Sequence, residues 1–303
     1  MTYRVGILVS DNMMPGHKEA REDIFELEEQ MGKIVPAFAR HDMSAEILRW
    51  RDAGEMADHF DAVLPLFVWD YFEGNQHAFL EQMKQAAGKT HIFNPYEMLK
   101  WNSEKSYLEE LATKGAPVIR TLYMDKVTEA GINQAFETLQ TDRLVIKPIV
   151  GGGAWRQVLY AQGDPFPDHS ELPPEGTMVQ AFLRSVQDEG EYSFLYFGGE
   201  FSHAVLKKAK SGDYRIQSLY GGTEQTYTPT DEEKAAAKLI LKQLDTIPLY
   251  ARVDLLRGDD GALKLIELEL LEPYLYLPHA EGEGGDNQGA LKLAETLKKR
   301  LTP

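Results

Sequence analysis

The segment Ala251–Glu269 places three carboxylates where a folded chain tolerates them only on strict terms. Asp254 ends the apolar strand pattern Ala251-Arg252-Val253, Gly258–Gly261 reads as a hairpin turn, and Glu267 and Glu269 sit two apart on the returning strand, so they project from one face. If the two arms pair, Asp254 faces both. Three like charges on one sheet face repel unless a cation sits among them. An all-oxygen set of this kind suits Mg²⁺, which keeps part of its water and shares phosphate oxygens. The bland alternative is a solvated acidic face with Leu265, Leu268 and Leu270 buried behind it. That reading accounts easily for one glutamate and poorly for three acids after a hairpin.

The formal net charge of −16 repels phosphate backbones and argues against a nucleic-acid partner. A phosphate-bearing small molecule therefore needs cations gathered at particular positions. Val145-Ile146-Lys147-Pro148 puts a lysine inside an apolar strand, where an unpaired charge is costly, and Gly151, Gly152, Gly153 and Ala154 follow. Such a loop lets backbone N–H groups approach phosphate oxygens. No Gly-Lys-Ser/Thr closes it, so it is not a P-loop. A snorkelling edge-strand lysine beside a hairpin fits the same residues. Lys207, Lys208 and Arg215 lie on two strand patterns joined through Ser211-Gly212-Asp213, and the planar fork of Arg215 suits an anionic transferring group or an oxyanion. Exposed basic residues on a hairpin are the alternative. Gln180, followed by the backbone of Ala181 and Phe182, offers hydrogen bonds to an adenine edge, and Glu191 an acceptor for a ribose hydroxyl. Each of these also has an ordinary strand reading. His203 and the tryptophans read as packing residues.

A chain of 303 residues is long for one core and predicts two or three domains. The absence of cysteine excludes a disulfide framework, a thiolate zinc site and a cysteine nucleophile. No apolar run reaches the roughly 18–20 residues that span a bilayer, and the first residues lead straight into an apolar strand pattern rather than a signal peptide. A cytoplasmic protein with no membrane contact is expected. Strands at Val5–Val9, Ala45–Trp50, Ala62–Phe67 and His91–Phe93 alternate with helices from about Lys18 and over Gly74–Ala86, which predicts an open, mostly parallel α/β layer. Asn94 is expected to cap a helix that begins at Pro95. A smaller α/β segment follows, with strands at 117–120 and 143–147 around a helix at 128–139. Strands then dominate, at 177–182, 191–197, 200–208, 214–218, 249–256 and 262–269, interrupted by one helix near 231–244. Glu281–Gly289 reads as an acidic loop.

The order of these pieces resembles the ATP-grasp superfamily, in its bacterial glutathione-synthetase-like branch with the cycloserine-forming cyclo-ligases. Val68-Trp69-Asp70-Tyr71, Asn94-Pro95, Trp101-Asn102, Lys105-Ser106-Tyr107-Leu108, Gly190-Glu191-Tyr192-Ser193, Gly212-Asp213-Tyr214-Arg215 and Glu267-Leu268-Glu269 carry the likeness along nearly the whole chain. The resemblance implies an α/β (α+β) ATP-grasp fold: an N-terminal open α/β domain over 1–112, a small α/β lid over 113–178, and a C-terminal antiparallel-sheet domain over 179–303. It implies that Lys105 and Lys147 hold the α- and β-phosphates of ATP, that Gly151–Ala154 closes over them, and that Gln180, Ala181 and Phe182 read adenine. Glu191 would hold ribose. Asp254, Glu267 and Glu269 would hold two Mg²⁺ ions, with Mn²⁺ able to substitute. Arg215, with Lys207 or Lys208, would steady the transferring phosphoryl group. Relatives often carry Asn where Glu269 stands, so the second ion site departs from the family pattern.

The activity so implied is ATP-dependent ligation of a carboxylate to an amine through an acyl-phosphate, on an amino acid or small peptide. A homodimer is compatible with it. Alternatives are a small-molecule kinase of the same fold and a partner-dependent peptide-tailoring or nucleotide-binding protein. Ser10–His17, Trp69–Phe72 and Glu272–Tyr276 are expected to line the acceptor side.

Overall fold

A computed structural model describes residues 2–282 and 285–302. The first part is a parallel sheet in the order β2-β1-β3-β4, built from β1 (Tyr3–Val9), β2 (Met43–Arg49), β3 (Ala62–Phe67) and β4 (His91–Ile92). Helices α1 (Phe25–Ala39), α2 (Ala53–Met56) and α3 (Gln76–Ala87) make its crossovers. Every residue of β3 is buried, which explains the unbroken apolar run of a strand covered on both faces. Pro65 can donate no ladder bond, and the β1–β3 register slips beside it, between Ile7↔Leu64 and Val9↔Phe67. Helix α1 begins at Phe25 rather than near Lys18, because residues 18–24 form turns.

Helices α4 (Tyr96–Asn102) and α5 (Tyr107–Thr113) lead to an antiparallel sheet in the order β5-β8-β6-β7. It comprises β5 (Thr121–Met124), β6 (Arg143–Pro148), β7 (Val158–Ala161) and β8 (Thr177–Ala181), with α6 (Glu129–Leu139) packed on one face. The strand expected at 117–120 is only a bridge from Val118 to Leu265; the true strand begins at Thr121. After the short α7 (Ser185–Asp188), a second antiparallel sheet runs β11-β10-β9-β12-β13. Its strands are β9 (Glu191–Phe197), β10 (Glu200–Lys208), β11 (Thr223–Tyr227), β12 (Tyr250–Arg257) and β13 (Leu263–Glu269). Helices α8 (Asp231–Leu241) and α9 (Gln288–Leu301) complete the fold. The three sheets make a mixed α/β architecture, and no described helix is long and apolar enough to cross a membrane.

Two expectations in this sheet fail. Residues 214–218 are not a strand; the edge strand is β11, a polar, mostly exposed segment without apolar alternation to betray it. Helix α9 was not anticipated, although Asn287 caps it and Ala290, Leu293, Ala294, Leu297 and Leu301 form a buried stripe at helical spacing. The acidic stretch before it is tied down in part: Glu281 pairs with Lys33 and Asp286 with Arg40, while residues 283 and 284 lie outside the described residues.

Strand β13 has no strand on its outer edge, and side chains take that place. The Asn102 amide donates to the Leu268 carbonyl (2.8 Å) and accepts from Leu270 N–H (2.8 Å). The Tyr107 hydroxyl donates to the Leu268 carbonyl and accepts from its N–H, both at 2.9 Å. Asn94 does the same nearby instead of capping α4. It is fully buried, donates to the carbonyls of Tyr250 and Leu270, and accepts from Leu249 N–H. Unmet backbone groups at such buried positions are costly. Asn102→Ala, which orphans two of them, is expected to lower stability by about 2–4 kcal/mol. The urea midpoint measures this, and a loss below about 0.5 kcal/mol would show that the edge bonds matter little.

Candidate active site

Alternation in the strands decides what faces the cleft. On β6, Leu144 and Ile146 enter the core beneath α6, while Val145 and Lys147 line a cavity of 580 Å³. On β12, Ala251, Val253 and Leu255 pack toward α5 and α8, so Arg252 and Asp254 turn to the cavity. On β13 a bulge at Ile266 separates Leu255↔Leu265 from Asp254↔Glu267. That extra residue allows Leu265, Leu268 and Leu270 all to be buried while Glu267 and Glu269 face the cavity.

Register then sets the partners. Asp254 lies opposite Glu267 on one side and Ser193 on the other, Arg252 lies opposite Glu269, and Lys207 lies opposite Glu191. Arg252 donates to both Asp254 oxygens (3.1 and 3.0 Å) and pairs with Glu269. Lys207 bonds Glu191 at 2.6 Å and reaches Asp254 at 3.5 Å. Lys105, held between Asn102 and Tyr107, bonds Glu267 at 2.9 Å and the Gly151 carbonyl. Burial opposes charge on Asp254, but Arg252 and Lys207 hold its pKa below the ordinary value. Burial raises Glu191 despite Lys207 and drives Glu269 well up despite Arg252. Burial, with Glu267, pushes Glu272 up to about 7. The surplus of carboxylate is therefore borne by Glu269 and Glu272.

Lys147 differs from the other cations. Among the described residues it makes no hydrogen bond or ion pair, and burial lowers its pKa against the opposing pull of Glu267 and Glu191. The glycine loop lies beside it. Gly153 and Ala154 take positive φ (56° and 59°), and a side chain on Gly152 would meet Phe72 at 2.8 Å. That contact brings the loop against the N-terminal sheet's own connection. On the far side, Ile119, Val145, Phe182, Val186, Ile216 and Leu256 form an apolar cluster that lines the cavity.

The structure brings Lys105, Lys147, Lys207, Gly151–Ala154, Gln180, Ala181, Phe182, Glu191, Asp254, Glu267 and Glu269 to one cavity. Gln180 donates to Thr121 Oγ1 (2.9 Å), and the Phe182 N–H is taken by the Arg143 carbonyl (2.9 Å). The next N–H, on cavity-lining Leu183, has no partner among the described residues. Lys208 is exposed on the opposite face of β10, because its neighbour Lys207 points inward. Arg215 stands at the rim, bonded through Nε and Nη2 to Asp213 and stacked 3.9 Å from the Tyr220 ring centre. Ser10–His17 do not line the cavity; Arg21, Asp23, Phe25, Glu26 and Glu29 do. Arg252 escaped the sequence reading. Its signal was its place two residues before Asp254, on the same strand face.

Among the described residues no three acids or imidazoles are gathered as metal ligands; their oxygens are engaged by Arg252, Lys105 and Lys207. The donor set nonetheless fits a hard divalent cation, being all oxygen, and a cation there would oppose the burial and like charges that raise Glu269 and Glu272.

Residues 5–94 match the family model described as D-cycloserine synthetase DcsG, N-terminal domain. The cycloserine biosynthesis protein DcsG of Streptomyces lavendulae is 29% identical over 290 residues, covering 90% of this chain and 94% of that protein. The crystal structure of D-cycloserine synthetase DcsG superposes with a TM-score of 0.83 at 24% identity, over 99% of this chain and 100% of the other. A D-alanine–D-alanine ligase from Bacillus anthracis gives 0.70 at 15% identity, with 99% of each chain covered. The ATP-grasp ligase PsnB gives 0.64 at 15%, covering both chains fully. Sequence match, element order and fold agree: the chain has the fold of these ATP-grasp ligases and is similar in sequence to the cycloserine biosynthesis protein DcsG.

Proposed function

We propose that the chain binds ATP with Mg²⁺ in this cavity and joins a carboxylate to an amine through an acyl-phosphate, on an amino acid or small peptide. The observation that carries the reading is Lys147: a cation without a partner among the described residues, beside a glycine loop and facing a row of carboxylates. Solved proteins of this fold include a D-alanine–D-alanine ligase complexed with ATP and PsnB complexed with Mg and ADP. The apolar cluster around Val145, Phe182 and Leu256 suits a purine base, with the Leu183 N–H and the Gln180 amide oxygen for its edge. Glu191 is placed for a ribose hydroxyl. Lys105 and Lys147 suit the phosphates, under the N–H groups of Gly151–Ala154.

Asp254, Glu267 and Glu269 would hold Mg²⁺, two ions in this reading and replaceable by Mn²⁺. The metal would neutralise phosphate oxygens that the cations alone leave charged. With ions held by these carboxylates, Arg252 and Lys207 would be free to face the transferring group, a role that would suit Arg252 better than Arg215 because Arg252 lies among the acids. In the reaction a carboxylate oxygen attacks the γ-phosphorus and ADP leaves. The amine nitrogen then attacks the acyl carbon, the bond to the phosphoryl oxygen breaks, and phosphate departs. The chain's part is positioning, charge neutralisation and exclusion of water by the glycine loop. No side-chain nucleophile is needed.

Lys147→Ala is expected to reduce ADP release at least about 100-fold while circular dichroism stays that of the parent, and Glu267→Gln to do the same. Normal turnover in either variant would remove the site assignment. Hydroxylamine supplied with ATP and a panel of amino acids should trap a hydroxamate from the acid that is activated. ADP release accompanied by a stable phosphorylated product and no hydroxamate would instead mark a kinase.

A further inference from the structure

The part of the cavity formed by the N-terminal unit and the segment after β13 has a wall of aromatic rings. Trp69 and Tyr274 lie 6.5 Å apart between ring centres, Tyr274 and Tyr276 4.7 Å. Acids surround the wall. Tyr274 donates to Glu29 at 3.1 Å, and Glu26, Glu29 and Glu224 together add to burial in holding its phenol protonated. Glu272 stands close by, and the Trp69 indole donates to its carbonyl at 3.1 Å. Arg21 is the cation here, but it is occupied. Its Nε and Nη2 are fixed on Asp23, both at 2.8 Å, and Nη1 reaches the Trp69 carbonyl at 3.3 Å. A substrate carboxylate would therefore find acids and a closed arginine on this side.

A second observation points to a ligand rather than to a merely acidic surface. Tyr276 is 8% exposed and lines the cavity, and its hydroxyl has no hydrogen-bond partner among the described residues. Its ring stands between Tyr274 and the charged groups Arg252 (5.6 Å) and Lys207 (5.8 Å), at the junction with the phosphate side. A hydroxyl that faces the cavity at that junction without a partner among the described residues suits an amine nitrogen presented to the activated acid.

We propose that this half of the cavity takes an acceptor amine carrying a second positive charge, a diamine or a basic amino-acid side chain. Arg21 already lies over the Trp69 ring at 5.6 Å, so the distal cation lies against Tyr274 beside Glu29 and Glu224, and the reacting amine bonds the Tyr276 hydroxyl. Aromatic faces and carboxylates both favour a cation, and burial strengthens each. The inference rests on the ligase reading above and adds the class of acceptor.

The test is calorimetric titration of the full chain, loaded with Mg²⁺ and a non-hydrolysable ATP analogue, with four probes: 1,4-diaminobutane, L-lysine, n-butylamine and D-alanine. The two probes with two ammonium groups, 1,4-diaminobutane and L-lysine, are expected to bind at least about tenfold tighter than n-butylamine, a difference that corresponds to about 1.4 kcal/mol. Glu29→Gln should remove most of that preference, and Tyr276→Phe should weaken diaminobutane and n-butylamine alike. Nucleotide affinity, measured separately, should be the same in both variants. Equal or tighter binding of n-butylamine or D-alanine would overturn the inference, as would no binding of either two-ammonium probe to the millimolar range. Loss of nucleotide binding in the parent chain would instead sink the ligase reading, so the two failures are distinguishable.

Discussion

The outer edge of β13 is closed by side chains, and the cavity depends on it. Asn102 and Tyr107 bond the backbone of Leu268 and Leu270, and Lys105 lies between them in sequence. The same bonds that satisfy an edge strand therefore fix a lysine against Glu267, which projects from the opposite side of that strand's backbone. Asn94 performs the equivalent service between the ends of β12 and β13. If these edges were met by water, the strand could shift, and a shift of one residue would turn Glu267 and Glu269 into the core.

The chain carries a net charge of −16, yet several of its cations are buried against acids. Lys105, Lys207 and Arg252 each hold at least one carboxylate. Breaking such a buried pair from one side leaves an uncompensated charge. Burial and neighbouring carboxylates raise Glu269 and Glu272, while Lys147 has no anionic partner among the described residues. Positive and negative surpluses that face each other across a cavity of 580 Å³ are complementary to a metal-bearing polyanion.

The remainder of the cavity differs in character. The base side is apolar and built from β6, β12, the segment after β8 and the loop residues Ile119 and Ile216, whereas the N-terminal side is aromatic and acidic. Phe72 touches the glycine loop from the N-terminal side, so the loop's position is set by a residue far from it in sequence. The parallel sheet therefore contributes to the site through its connections rather than through its strands.

Strands β3, β9 and β10 were legible in the sequence because each is a buried run whose ends are marked by local composition. So were the acids, since Glu267 and Glu269 are two apart on one strand, and the lysine and glycines after β6. Helix α9 and strand β11 escaped, the first because its stripe is partly alanine among lysines, the second because a polar edge strand has no apolar period. By itself the sequence determined which residue types could do the chemistry and which face of their own strand they share, because side-chain alternation is a local property of the backbone. Only the tertiary structure decided that Lys207 rather than Lys208 points inward, that Arg252 stands among the acids, and that the bulge at Ile266 sets the phase of Glu267. Those outcomes depend on strand register and on partners distant along the chain, and local spacing carries no information about either.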